Sequence, residues 1–191
     1  METKVKKPSP RERLLAAADE LFYNEGIHTV GIDRIIDKAG VAKGSLYYNF
    51  DGKDDLVRAY LLGRHAAWSA EVDRAVAAAP TPEAKVLAVF DVLGNLFAKP
   101  DFRGCSFMNA VAEAQPGSPE VLAAVNFRAW VHELFNGLVD SLHVDNKSEL
   151  SKQLIVLYDG AVANAQMDAT AEPAKTAQNL AHMLIQQSVL T

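Results

Sequence analysis

The sequence contains a single cysteine, Cys105, and this scarcity excludes several classes of protein. One cysteine cannot form an internal disulfide or a cysteine-based zinc site, and it fits the reducing environment of the cytoplasm. Long apolar runs are also missing. No stretch approaches the roughly 18 apolar residues that a transmembrane helix needs, and the first residues lack the apolar core of a signal peptide. We therefore expect a cytoplasmic protein that does not enter a membrane.

Motifs for catalysis and cofactor binding are absent as well. The chain has no Gly-x-Ser-x-Gly, no His-Glu-x-x-His and no glycine-rich phosphate loop. Glu25 and His28 have the spacing of a bundle metal site but straddle the helix-ending Gly26, while Asp140 and His143 lie near a helix end without matching inward carboxylates. We therefore predict that the protein is not an enzyme and holds neither a metal nor a cofactor.

Positive charge is scarce over most of the chain, whose net charge is −5. Residues 1–64 hold 11 Lys and Arg against 10 Asp and Glu, whereas residues 65–191 hold 8 against 14. Because an acidic surface repels phosphate, any contact with nucleic acid must be confined to the N-terminal end. With 191 residues, 49% of them hydrophobic, the chain is long enough for one or two domains with cores.

The apolar residues of the sequence recur with helical periodicity, and no segment shows the alternating pattern of a β-strand. Ser9, Pro10 and Glu12 provide a capping residue, a proline and a carboxylate for the start of a first helix, which Gly26 ends. Later helices are predicted at about residues 53–79, 82–98, 105–114, 119–142, 147–167 and 172–190. With two short helices between residues 31 and 50, the prediction is an all-α fold of about nine helices.

The stretch from Gly31 to Phe50 predicts two short helices joined by a tight turn. Apolar residues at i, i+3 and i+4 give the first helix one apolar face, and Gly40 can take the left-handed conformation that ends it. Leu46 and Phe50 give the second helix a buried edge and leave Lys43, Ser45, Tyr48 and Asn49 facing outward. This pattern is a helix-turn-helix whose second helix, about 10 Å long, fits a DNA major groove.

These residues also carry a family resemblance, which covers roughly residues 10–60. The chain resembles TetR-family transcriptional regulators at Thr29, Val30, Ile35, Ala39, Gly40, Val41, Gly44, Ser45, Leu46, Tyr47, Tyr48, Phe50, Lys53 and Leu56. Asn49 and Gly52 depart from the commonest pattern, which has His and Ser there. The resemblance implies an all-helical homodimer that binds a near-palindromic duplex DNA operator, and is released from it by a small-molecule effector. It divides the chain into a basic tail with the helix-turn-helix domain, 1–53, and a ligand-binding and dimerisation domain, 54–191.

The residues predicted to contact DNA lie in or beside the helix-turn-helix. They are Gly31, Lys43, Gly44, Ser45, Tyr47, Tyr48, Asn49 and Lys53. Lys53 begins a helix, where the macrodipole disfavours a cation, so a phosphate partner explains it better than packing does. Lys4, Lys6 and Lys7 form a basic tail that is either a DNA-contacting arm or a solvated leader.

The remaining predicted sites lie in the acidic body. A pocket for a small, mainly apolar ligand is expected among Trp68, Phe90, Phe97, Phe107, Met108, Asn109, Glu113, Phe127, Trp130, Tyr158 and Asp159. A dimer interface, implied by the resemblance, is expected at Leu157, Gly160, Ala161, Asn164, Ala177, Ala181, Leu184 and Ser188. Ordinary packing within the chain is the alternative for these small residues. For the whole protein, the alternatives to a repressor are a helical structural or interaction protein and a helical-bundle enzyme.

Overall fold

The computed structural model describes residues 7–188, and within them the chain forms nine α-helices. Their bounds are α1 (Pro10–Glu25), α2 (Ile32–Ala39), α3 (Lys43–Asn49), α4 (Lys53–Ala78), α5 (Pro82–Phe97), α6 (Ser106–Ala112), α7 (Pro119–Asp140), α8 (Lys147–Asp168) and α9 (Glu172–Ser188). The predicted all-α fold is confirmed. Lys4 and Lys6 of the predicted tail lie outside the described residues, as does the expected end of the last helix near Leu190.

The helices are arranged in two compact units. The first unit ends at Arg64 and also includes Ser106–Ala124, while the second contains His65–Cys105 and the chain from Val125 onward. The first unit thus consists of the first three helices, the first turns of α4, all of α6 and the start of α7. These bounds differ from the domain boundary expected after residue 53, which stays a prediction.

In the first unit, α1 begins at the capping box that the sequence predicts. The Ser9 hydroxyl accepts from the Glu12 amide at 3.3 Å, and the Glu12 carboxylate accepts from the Ser9 amide at 2.7 Å. This exchange satisfies two backbone donors that a helix start would otherwise leave unpaired. The inner side of α1 is buried and carries Leu14, Ala18, Leu21 and Phe22.

The second unit is built around α5, which packs against α8 and α9. Its apolar residues lie on nearly all sides, as expected of a central helix, and Val86, Val89, Phe90 and Leu93 are buried. The Phe90 ring lies 6.2 Å from the ring of Phe135 on α7. Aromatic packing therefore joins α5 and α7 in the core of this unit.

Two apolar residues of α7 do not lie in a core. The sequence places Leu122 and Val125 at apolar helical positions, but they are 57% and 60% exposed. The buried apolar side chains of α7 are Ala123, Phe127, Val131, Phe135, Leu138 and Val139. The apolar stripe of this helix is wider than the face that its neighbours cover, so periodicity alone did not identify the covered side.

Candidate nucleic-acid interface

The position of α3 is fixed by the turn before it and by its buried edge. Gly40 adopts the left-handed conformation, with φ of 60° and ψ of 44°, and the Val41 amide donates to the Ile36 carbonyl at 3.3 Å. Leu46 is fully buried, and Phe50, which follows the helix, is also buried. The predicted helix-turn-helix is therefore present, and it presents the opposite side of α3 to solvent.

The outer side of α3 carries four of the predicted DNA contacts. Lys43, Gly44, Tyr47 and Tyr48 are exposed, Tyr48 to 89% and Tyr47 to 54%. Both tyrosines are therefore accessible to solvent in the folded protein. No heavy atom lies within 4 Å of where a Cβ on Gly44 would be, so another backbone can approach this point closely.

Ser45 and Asn49 are less available than expected. Both side chains are half-buried rather than fully outward, and the Asn49 side-chain amide donates to the Ser45 carbonyl at 2.7 Å. This bond within α3 occupies an Asn49 donor that would otherwise be open to DNA. Gly31 precedes α2 and is exposed, and Lys53 begins α4 half-buried, so these two predicted contacts lie on neighbouring elements.

Lys43 has a partner that the sequence analysis missed. Its ammonium donates to Oδ1 of Asp33 at 3.0 Å, and this hydrogen bond is the main reason that the pKa of Lys43 is raised. Asp33 lies in the first turn of α2, ten positions earlier in the chain. No spacing rule links residues on two different helices, so the pair was visible only after folding.

Contacts from α1 hold the helix-turn-helix in place. The Arg13 guanidinium donates to the carbonyls of Ala39 and Gly40 at 3.2 and 2.9 Å, which satisfies the open end of α2. Glu25 accepts two hydrogen bonds from Arg34, at 2.6 and 2.9 Å. The N-terminal helix thus fixes both the start and the end of α2, and through it the turn that positions α3.

The first turns of α4 are fixed to α1 at Arg64. Its guanidinium donates to both carboxylate oxygens of Asp19, at 2.5 and 2.9 Å, and lies over the Tyr23 ring at 4.0 Å. A paired and stacked guanidinium is more rigid than a single surface ion pair. This contact spans 45 positions in the sequence, so no local pattern predicts it.

The predicted ligand-binding residues are divided between the two units. Phe107, Met108, Asn109 and Glu113 belong to the first unit. The other seven belong to the second: Trp68, Phe90, Phe97, Phe127, Trp130, Tyr158 and Asp159. They therefore do not form a single cluster within either unit, and their contact with a ligand stays a prediction.

Within the second unit, the polar groups near the aromatic residues are already paired. The Trp68 indole donates to the Tyr158 hydroxyl at 3.0 Å, and burial raises the pKa of Tyr158 well above its usual range. The carboxylate of Asp159 accepts from Arg128 at 2.8 Å. An effector that used Asp159 as its counter-ion would have to compete with this arginine.

His65 lies beside two of the predicted ligand-binding residues, although the sequence did not predict it as part of that site. Its ring lies 5.5 Å from Phe127 and 5.4 Å from Trp130, in edge-to-face arrangements. Burial lowers the pKa of His65, which favours the neutral imidazole. The sequence held a signal for this cluster, since Phe127 and Trp130 are three apart on α7, but nothing in it linked His65 to them.

Five of the eight predicted dimer residues line an open groove between α8 and α9, with a volume of about 510 Å³: Leu157, Gly160, Ala161, Asn164 and Ala177. The groove walls include Gly160 and Asn164 as expected, and also the exposed Val156 and Leu180. Val156 is 69% exposed, and Met183 on α9 is 53% exposed. We call this surface the α8–α9 face and define it by Val156, Gly160, Asn164, Leu180 and Met183.

Some of the small residues predicted to lie in the dimer interface are buried within the single chain. Ala181 is fully buried inside its own chain, and Ala161 and Ala177 are nearly so. Because α8 and α9 pack directly on each other, these alanines mainly serve the packing of one chain. Leu157, Leu184 and Ser188 are half-buried. Contact of these residues with a second chain stays a prediction, but a partner could not reach Ala181 without a rearrangement.

Among residues 7–188, no group of three or more His, Cys, Asp or Glu side chains is arranged to hold a metal ion. In the same residues, no helix combines the length and the apolar character that crossing a bilayer requires.

Known proteins resemble this chain both in its N-terminal part and over nearly its whole length. Residues 14–60 match the family model described as bacterial regulatory proteins, tetR family. A solved TetR-family transcriptional regulator from Streptomyces coelicolor is 34% identical, with a TM-score of 0.88 over 95% of this chain and 96% of that one. The likeness therefore extends well beyond the helix-turn-helix.

Two curated relatives match over shorter stretches. The transcriptional regulator SrpR of Pseudomonas putida is 31% identical over 83 residues, which are 44% of this chain and 39% of SrpR. The transcriptional activator FasR of Mycolicibacterium smegmatis is 47% identical over 55 residues, which are 29% of this chain and 25% of FasR. The chain thus spans less than half the length of these relatives.

Proposed function

The chain belongs to the TetR family of DNA-binding transcriptional regulators, and from this premise we propose that it binds an operator through α3 and represses transcription until an effector releases it. The observation that carries the proposal is the outer side of α3, where Lys43, Gly44, Tyr47 and Tyr48 are exposed together after a tight turn. A lysine and aromatic rings on a short helix suit phosphate and base contacts in a major groove. Family membership favours this function over a structural protein or an enzyme.

We place the regulator in the cytoplasm, with its operator, and propose that it acts as a homodimer. A twofold axis in the protein requires a near-palindromic site whose half-sites lie about one helical turn apart or somewhat more. The support for a dimer is the α8–α9 face, which exposes apolar side chains beside a groove. A stable interface of this kind buries upwards of about 1,200 Å² in total.

Selection of bound sequences from random duplex DNA tests the proposal. We expect one near-palindromic sequence to be enriched. Lys53→Ala should weaken binding to all sequences and lower the dependence of log affinity on log salt by about one unit, because it removes one phosphate contact. Tyr48→Ala and Lys43→Ala should weaken operator binding more than binding to random duplex. Wild-type protein that enriches no sequence above background at moderate salt would contradict the proposal.

We further propose that a small, mainly apolar or cationic ligand binds the aromatic residues of the second unit and lowers operator affinity. Trp68, Phe127 and Trp130 offer apolar and π surfaces, and the acidic charge of residues 65–191 disfavours an anion. The helix α4 has 26 residues and contributes to both units, so a tilt of this helix would respace the two recognition helices of a dimer. A respacing of a few ångströms loses contacts in both grooves.

Thermodynamic reciprocity makes this proposal testable. Compounds that release the operator in a screen should bind less tightly, by the same factor, when the operator is saturating. A coupling of about 1 to 3 kcal/mol is typical of such systems. Isothermal titration calorimetry with and without operator measures both affinities. Equal ligand affinity in the two titrations would eliminate the coupling and leave a regulator that binds DNA constitutively.

A further inference from the structure

The ion pair between Lys43 and Asp33 lies on the surface that would meet DNA. Lys43 is the first residue of α3, Asp33 is in the first turn of α2, and their side chains are 64% and 80% exposed. The apolar side chains Ile35, Ile36 and Leu46 of the two helices are buried, and an exposed ion pair of this kind adds little to stability. Its exposure and position point to a role in recognition rather than in folding.

Asp33 and a DNA phosphate would compete for the ammonium group of Lys43. Each offers an anionic oxygen to one ammonium group, and the Lys43 ammonium already donates to Asp33 at 3.0 Å. A phosphate that approaches Lys43 therefore meets a partly neutralised cation with a carboxylate beside it. The hydrogen bond to Asp33 raises the pKa of Lys43, so the ammonium stays charged beside the carboxylate at neutral pH.

We propose that Asp33 is an internal competitor of DNA phosphate at Lys43 and weakens sequence-independent binding. This inference rests on the proposed function, since it assumes that α3 meets DNA. In a complex with random DNA, Lys43 stays with Asp33 and adds little to the affinity. At the operator, the other contacts of α3 hold a DNA phosphate close to Lys43, and the Lys43 ammonium leaves Asp33 to bind that phosphate. Asp33 thus increases the discrimination between operator and random sequence.

The variant Asp33→Asn removes the competing charge and keeps the size of the side chain. For random duplex DNA we expect an affinity about two- to fivefold higher and a salt dependence steeper by about one unit, because Lys43 becomes free to neutralise a phosphate. Operator affinity should rise less. The matched control is Asp37→Asn, which removes the same charge from another exposed position of α2 that has no ion pair to Lys43.

A second background separates the pair from general electrostatics. In Lys43→Met protein, Asp33→Asn should change the affinity for random duplex no more than Asp37→Asn does. Circular dichroism on thermal unfolding verifies that each variant folds. An equal effect of Asp33→Asn with and without Lys43 would overturn the inference, as would an effect equal to that of Asp37→Asn in the wild-type background. Wild-type protein that binds no duplex at all would remove the proposed function together with this inference.

Discussion

The double variant Val156→Glu/Leu180→Glu is expected to be monomeric at micromolar concentration and to bind the operator at least about 100-fold more weakly. Both side chains line the groove of the α8–α9 face, and both are exposed in the single chain, so glutamate is tolerated there before association. In a dimer through this face, each glutamate would be buried without a partner, which costs several kcal/mol. Association would then fail while the protomer stays folded.

The loss of operator affinity follows from the loss of the second DNA-binding unit. Two linked units bind two half-sites with an avidity about 10² to 10⁴ times higher than that of one unit. Sedimentation velocity measures the oligomeric state, and a binding titration on the operator measures the affinity. The matched control is glutamate at Leu122 and Val125, which are exposed to a similar degree on α7. A Val156→Glu/Leu180→Glu variant that sediments as a dimer would exclude this face as the interface, and monomers in the control would make the effect unspecific.

Phe135→Ala is expected to lower the free energy of unfolding by about 3–5 kcal/mol. The Phe135 ring is fully buried in the second unit, with Phe90 at 6.2 Å and Tyr158 at 5.8 Å between ring centroids. Removing it leaves a cavity between α5, α7 and α8, and the rings around it lose their aromatic partner. The effect should be mainly on stability, because Phe135 lies far from α3 in sequence and within the other unit.

Urea denaturation at a fixed protomer concentration measures the change, since association adds to the apparent stability of a dimer. Leu122→Ala is the control for truncating an apolar side chain, and because Leu122 is exposed it should change stability by no more than about 0.5 kcal/mol. Phe135→Leu should fall between the two. A loss below about 1.5 kcal/mol for Phe135→Ala would contradict the packing described here.

Much of the fold could be predicted from the sequence because its signals act within one or two helical turns. Ser9 and Glu12 lie three residues apart and cap the start of α1 by themselves. Gly40 ends α2 in the conformation that glycine takes at little cost. The starts of α4, α5, α7 and α9 coincide with the predicted ones for the same reason. Proline, glycine and capping residues constrain the backbone locally, and their effect does not depend on how the rest of the chain packs.

The accessible part of the helix-turn-helix could also be predicted, but its electrostatics could not. Leu46 and Phe50 are four apart and share the buried edge, which leaves Lys43 and Tyr48 exposed. This spacing does not reveal that Lys43 has a carboxylate beside it, or that Asn49 turns back to the carbonyl of Ser45. Those contacts depend on rotamers and on the angle between helices, which a linear pattern does not encode.

The sequence by itself determined which residues form helices and which short helix carries the polar and aromatic side chains suited to DNA. Only the tertiary structure decided which apolar faces are covered. It buries Ala181 between helices of one chain and leaves Leu122, Val156 and Met183 exposed. It also joins Arg64 to Asp19 across 45 positions. The physical reason is that burial and ion pairing depend on which helices become neighbours, and this is settled by the packing of the whole chain rather than by the spacing within any one helix.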